Sequence, residues 1–156
     1  MAVYKLLDDF YESTYSLIAI HSYLEDYRLA YFLNLHLKTS FKRLSYNLDF
    51  ENNSSFSIYQ WEDHYEETTW HLVTNKSRTE KRIASEDGGL FEENTASVTT
   101  FLVPEYNKAD FFLKADYDDT HKNLEKTLQG ILRIPHITTA YSIDPNQLKS
   151  KNNLIF

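Results

Sequence analysis

Asp116-Tyr117-Asp118-Asp119-Thr120 follows an apolar run and imitates D-x-D-x-T, a pattern in which one carboxylate is phosphorylated, the second serves as acid and base, and magnesium bridges them. The surroundings that chemistry needs are missing. No Gly-rich loop precedes it to hold a phosphate, and no later acidic cluster completes a magnesium site. The same acids are accounted for by the start of a helix, whose N-terminus favours carboxylates. Histidines stand at positions 21, 36, 64, 71, 121 and 136, none of them in H-E-x-x-H. His64 and His71 face one another across a predicted hairpin, but no third ligand is in view, so neither a metal nor a cofactor is expected. Ser-His-Asp catalysis lacks its strained nucleophile turn, since no G-x-S-x-G occurs.

Two further groups carry charge in a pattern. Lys76, Arg78, Lys81 and Arg82 form the one dense basic stretch and are the candidate binding residues, with Tyr59, Trp61 and Trp70 as stacking faces for RNA. A solvated loop neutralised by Glu80 and neighbouring acids explains them as well, and is preferred. Pro104, Glu105 and Asp110 lie in Val103-Pro104-Glu105-Tyr106-Asn107-Lys108-Ala109-Asp110-Phe111, a turn between two apolar runs. Pro104 has no N–H for a ladder and stops a strand. Glu105 accepts turn N–H groups, and Asp110 secures the entry to the next strand through a local bond. That structural role is preferred to catalysis, because paired carboxylates doing acid–base work need a cleft and further polar partners.

The elements that must position these residues can be read from periodicity. A short strand is expected at Val3 to Leu7 and a buried one from Tyr15 to His21. Ser22-Tyr23-Leu24-Glu25 has capping-box spacing for a helix to about Leu37 that buries Leu29, Phe32, Leu33 and Leu37. Leu44, Tyr46, Leu48 and Phe50 then alternate with polar residues as a half-buried strand does. Phe56 to Trp61 and Thr68 to Thr74 read as a hairpin. Asn75 to Asn94 reads as a charged surface excursion, and Val98 to Val103 and Phe111 to Ala115 as strands. Asp118, Asp119 and Thr120 are N-cap candidates for a helix carrying Leu124, Leu128, Ile131 and Leu132. Pro135 closes it, Ile137 to Ile143 is a last strand, and Asp144-Pro145 opens a short helix.

The order contains two strand-helix-strand units, Tyr15 to Phe50 and Asp110 to Ile143. A shift of 95 positions superimposes Leu29 on Leu124, Leu33 on Leu128 and Tyr46 on Tyr141, a hint of duplication. The expected fold is α+β: one domain over residues 1–156, a mostly antiparallel sheet with two main helices on one face, reminiscent of ferredoxin-like arrangements.

Composition bounds the function. The chain has 156 residues and net charge −7, which argues against wrapping a phosphate backbone. Its three glycines, Gly88, Gly89 and Gly130, supply neither a dinucleotide nor a P-loop fingerprint. Cys is absent, which suits a reducing compartment, and no apolar run reaches the length of a membrane span. Twelve Tyr and ten Phe leave aromatic rings to spare for an interface.

At Val103-Pro104-Glu105-x-x-x-Ala109-Asp110-Phe111 the chain resembles the bacterial family called IPExxxVDY after its own motif, found mainly in Bacteroidetes. Ser16 to Ser22 and Leu24 to Asn34 look like that family's N-terminal region. The resemblance implies a cytoplasmic bacterial protein and carries no assigned activity, cofactor or catalytic residue. Phe111 lacks the hydroxyl of the motif's Tyr, which argues against a catalytic role there. The resulting expectation is a non-enzymatic protein-interaction or regulatory module, self-associating as a homodimer or binding another protein. The alternative is an RNA-associated module working through Lys76 to Arg82, with nucleic acid the disfavoured partner.

Overall fold

A computed structural model describes residues 15–82, 95–116 and 124–156. Strand β1 (Tyr15–Ser22) leads into helix α1 (Asp26–Leu37), then strands β2 (Lys42–Arg43), β3 (Leu48–Asp49), β4 (Ser55–Phe56), β5 (Ile58–Asp63), β6 (Thr68–Thr74), β7 (Lys76–Arg82) and β8 (Thr95–Phe101). A 3-10 turn at Pro104–Tyr106 precedes β9 (Phe111–Asp116), helix α2 (Leu124–Leu132) and β10 (Ile137–Ile143). Two more 3-10 turns follow, Pro145–Gln147 and Lys151–Leu154.

Six strands form one antiparallel sheet in the order β10-β1-β9-β6-β5-β2, and β3-β4 and β7-β8 are separate two-stranded ribbons. Because β1 pairs antiparallel with both β9 and β10, those two run parallel to each other with β1 between them. β9-α2-β10 is thus a split strand-helix-strand unit. β1-α1-β6 is its counterpart, with β9 inserted between its strands. This is ferredoxin-like connectivity, extended by β5 and β2, and the class is α+β.

Alternation assigns the two faces of each strand. Ile18 and Ile20 of β1, Trp70 and Leu72 of β6 and Leu113 and Ala115 of β9 join Leu29, Ala30 and Leu33 of α1 and Ile131 of α2 in one core. Leu17, Ala19, Val73 and Phe112 point to the other face, beneath Phe56, Leu102, Val103, Ala109, Leu148 and Leu154. Central strands covered on both faces must read as continuous apolar runs, which is why β1 and β9 were legible. The helices meet where Gly130 faces Leu37; a Cβ there would run into the Leu37 Cδ2 methyl.

Several expected elements differ. Leu44 to Phe50 is not one strand. The Arg43 guanidinium donates to the carbonyl oxygens of Leu44 (2.8 Å), Tyr46 (3.2 Å) and Ile58 (3.2 Å) and to Asn47 Oδ1, curling the chain around itself. The second strand of the first unit is therefore β6, so under the 95-position shift the first strand and the helix of the proposed duplication have structural counterparts and the second strand has none. No capping box forms: α1 begins at Asp26 without a side-chain cap. Ser22 Oγ instead accepts from Leu24 N (3.1 Å) and donates to the His136 carbonyl (2.9 Å). Lys76–Arg82 is a strand paired with Thr95–Phe101, not a loop. The expected strand at Val3 to Leu7 and the caps Asp118, Asp119 and Thr120 lie outside the described residues.

Candidate functional site

The Val103 to Phe111 turn is organised by a residue the sequence did not single out. Asn75 is fully buried, and its side-chain amide donates to the carbonyls of Tyr106 (2.9 Å) and Ala109 (2.8 Å) while its Oδ1 accepts from Val103 N (2.9 Å). Its main chain adds Asn75 N to the Asp110 carbonyl and Leu102 N to the Asn75 carbonyl, both 2.9 Å. Five bonds from one residue thus hold both ends of the turn. The only sign in the sequence is an Asn just after a strand, which usually means a turn rather than a tie to a segment some thirty positions away.

The three motif residues face different partners. Pro104 starts the 3-10 turn. Glu105 Oε2 accepts from Ser150 N and Ser150 Oγ, both 3.1 Å. Partial burial pushes the Glu105 carboxyl up, but bonds from the Ser150 hydroxyl and from main-chain N–H groups outweigh it and hold the group below its usual range. Asp110 reaches the opposite way, accepting from Ser22 N at 2.8 Å and pairing with Lys76 Nζ at 2.9 Å. Asp26 lines a polar depression together with Lys76 and Arg78, whereas Arg28 lines another beside His136. Asp110 and Asp26 both neighbour Lys76, whereas Glu105 and Arg28 lie elsewhere, so the acids and Arg28 do not converge on one pocket.

The basic stretch lies on β7. Lys76 is engaged by Asp110, Arg78 is exposed, and Lys81 and Arg82 lie farther along the same strand. The aromatic residues expected beside it are elsewhere. Trp61 and Trp70 stack on one another directly across β5 and β6, with ring centres 6.2 Å apart. Tyr59 is buried under the Arg43 guanidinium, and burial together with the Asp26 carboxylate pushes its phenol up to about 12.

His64 lies in the exposed hairpin turn, while His71 is buried on β6 opposite Gln60. No group of three metal-capable side chains occurs among the described residues. Asp116 ends β9, and the remainder of the D-x-D-x-T imitation lies outside the described residues.

Sequence reasoning also missed a buried polar cluster on the face away from the helices. Lys114 is 4% exposed, with Nζ 3.0 Å from the Phe156 carbonyl and 3.6 Å from Asp116 Oδ1. The rings of Phe156 and Tyr15 flank the ammonium at 4.5 and 4.7 Å, the geometry of cation–π contact. His71 is its cross-strand neighbour; the Gln60 amide nitrogen lies 3.2 Å from Nε2, and Nδ1 is buried without a hydrogen-bond partner. Burial pushes the Lys114 ammonium down, partly opposed by Asp116. Burial likewise lowers His71, with Asp116 opposing and Lys114 reinforcing. Two aromatic walls and a carbonyl cap make this a sealed cation. A nucleophilic lysine would need an open approach.

The clearest site for a partner is an edge. β10 pairs with β1 on one side, and among the described residues no strand pairs with its other side. Its sequence, Ile137-Thr138-Thr139-Ala140-Tyr141-Ser142-Ile143, holds neither a charge nor a proline. The opposite edge, β2, is two residues long, both of them basic. Beside the start of β10, Tyr23, Leu24, Arg28, His136, Ile137 and Thr138 form a shallow depression in which Tyr23 is 98% exposed. Tyr27, Tyr31 and Leu35 continue that exposed surface along α1 at four-residue steps.

Among the described residues no helix is long and apolar enough to cross a membrane. No family model, curated protein or solved structure matches the chain.

Proposed function

We propose that this protein is a non-enzymatic, cytoplasmic interaction module that self-associates through the outer edge of β10, and that its motif reflects kinship with the IPExxxVDY family. One observation carries the reading: a seven-residue, uncharged, proline-free strand has no strand on its outer side among the described residues, while the other edge of the same sheet is short and basic. Exposed edges are templates for pairing unless charge, proline or brevity blunts them. A two-fold axis beside β10 would join two six-stranded sheets into one, with the same patch serving both subunits. The exposed Tyr23 beside that edge is the aromatic anchor such an interface uses.

RNA binding through Lys76, Arg78, Lys81 and Arg82 has less support. Lys76 is already paired with Asp110, and the stacked tryptophans line a different part of the surface.

Size-exclusion chromatography with light scattering across a concentration series tests the edge. Dimer mass is expected for the wild type, and monomer mass for Thr139→Lys combined with Ser142→Lys, which sets like charges against each other across the axis. A wild type that stays monomeric at the highest concentration sinks the proposal.

A further inference from the structure

A concavity larger than the two depressions described above lies on the helix face, away from the β10 edge. It is a cleft of about 770 Å³ between the end of α1, the length of α2 and the ends of β5 and β6. That volume is in the range of small-molecule sites. Its aromatic wall is built by Phe41, Trp61 and Trp70: Trp61 stacks on Trp70, and Phe41 meets Trp61 edge-on with centres 5.9 Å apart. Trp70 is buried and Trp61 half-buried, so Trp61 is the ring with a face to offer.

Three cations line the same cleft, and no ion pair engages any of them among the described residues: Lys38, Lys126 and Arg133. Lys126 stands in the first turn of α2 and Arg133 just past its C-terminal end, in the turn closed by Arg133 N donating to the Gly130 carbonyl (3.3 Å), and both line the cleft. Two acids share the cleft. Asp63 accepts from Tyr65 N (3.1 Å) and Glu66 N (3.3 Å) in the hairpin turn, which leaves the exposed Glu66 as a free acceptor. The count is three cations against two acids, in a chain of net charge −7. The cleft therefore reverses the sign of the protein around it. His36 and Lys38 also sit at the C-terminal end of α1, where the dipole accounts for a cation. That explanation does not extend to Lys126, near the opposite end of α2.

We infer that the cleft binds a small planar aromatic anion carrying hydrogen-bond donors, in size and chemistry a nucleoside monophosphate. The ring lies against Trp61, the phosphate bridges Lys126 and Arg133, and Glu66 accepts from an amino or hydroxyl group. Stacking on an indole tolerates any base, so the site selects for ring plus charge rather than for one nucleobase.

Both tryptophans of the chain line this cleft, so fluorescence excited at wavelengths beyond tyrosine absorption reports on it. Titration with adenosine 5′-monophosphate is expected to give saturable quenching with Kd on the order of 0.1 mM. Adenosine lacks the charge and inorganic phosphate lacks the ring, so each is expected to bind about tenfold or more weakly. Arg133→Gln with Lys126→Gln removes two exposed charges without touching the core. It is expected to weaken the nucleotide about tenfold while leaving adenosine unchanged. Absence of saturable quenching overturns the inference, as does nucleotide binding unaltered in the double variant. A hexa-adenylate that binds far more tightly than the mononucleotide also overturns it, in favour of a nucleic-acid surface. Equal binding of adenosine and its monophosphate removes the anion from the proposal and so defeats it.

Discussion

On the helix face of the sheet, Lys38, Lys126 and Arg133 stand around a cleft with no ion pair among the described residues, whereas on the opposite face Lys114 is buried against a carbonyl and two rings. The same kind of side chain is available in one place and sealed in the other. What separates them is what covers the sheet. The helices approach one another at Gly130 and Leu37, and between them and the ends of β5 and β6 a gap remains. The other face is closed by chain segments that conform to it: β4, the turn held by Asn75, and the 3-10 turns carrying Leu148 and Leu154. Rigid rods leave clefts at their ends, while short irregular segments can follow the contours of a sheet. In this fold a ligand has room on the helix face.

The contrast breaks most severely at Asn75. Asn75→Ala strands the Val103 N–H and the Tyr106 and Ala109 carbonyls, so a loss of about 3–5 kcal/mol is expected in denaturant unfolding. A loss under about 1 kcal/mol would mean the closed face is held by apolar packing alone.

Acid should weaken the closed face through His71. Its folded-state pKa lies below the ordinary 6.5, so the unfolded chain takes up a proton first as pH falls. Stability is therefore whole above about pH 6.5 and declines as pH drops from there toward the lowered folded value. His71→Leu should remove that part of the decline; equal acid sensitivity in wild type and variant would exonerate the imidazole.

Lysines on the two faces sharpen the comparison with smaller effects. Lys114→Ala should cost about 2 kcal/mol by opening a cavity between Tyr15 and Phe156, whereas Lys114→Met should be close to neutral, because a buried charge is replaced by a stem of similar length. Lys126→Ala should stay within about 0.5 kcal/mol. Lys114 also gives wild type an alkaline signature. Its depressed folded pKa leaves the unfolded chain holding more protons, so its share of stability rises with pH up to about the ordinary 10.5. Tyr59 acts in the reverse sense between 10 and about 12, since the folded state keeps its proton longer. Comparing urea midpoints of wild type and Lys114→Met from pH 8 to 10 isolates the lysine.

What was legible in the sequence follows the chemistry of each segment. β1, β5, β6, β9, β10 and both helices announce themselves because apolar residues recur at the spacing of the element. β7 hid because its inward positions are Ser77 and Thr79, with Lys76, Arg78 and Glu80 turned out. Period two is present, but in side-chain size rather than hydrophobicity. The Leu44 to Phe50 alternation misled for the converse reason: the pattern fits a strand, yet one guanidinium gathering three carbonyls outcompetes a ladder. Asn75 and Lys114 were invisible as structural centres because their partners are distant in sequence and because an isolated polar residue resembles any surface residue. The cleft was half legible: Trp61 and Trp70 were singled out as stacking faces, but beside Lys76 and Arg78, which line a different depression.

β1 is the first strand of the described chain, yet it lies between β9 and β10, whose residues pair with it from some ninety to one hundred and twenty-five positions away. Its ladders close loops that span most of the described chain. Such long loops must be ordered before contacts reward them, so refolding is expected in the slow range for a chain of this size, milliseconds to seconds. Until then Leu17, Ile18, Ala19 and Ile20, the most deeply buried run among the described residues, wait unpaired. The most deeply buried strand is thus also one whose partners are the most distant in sequence.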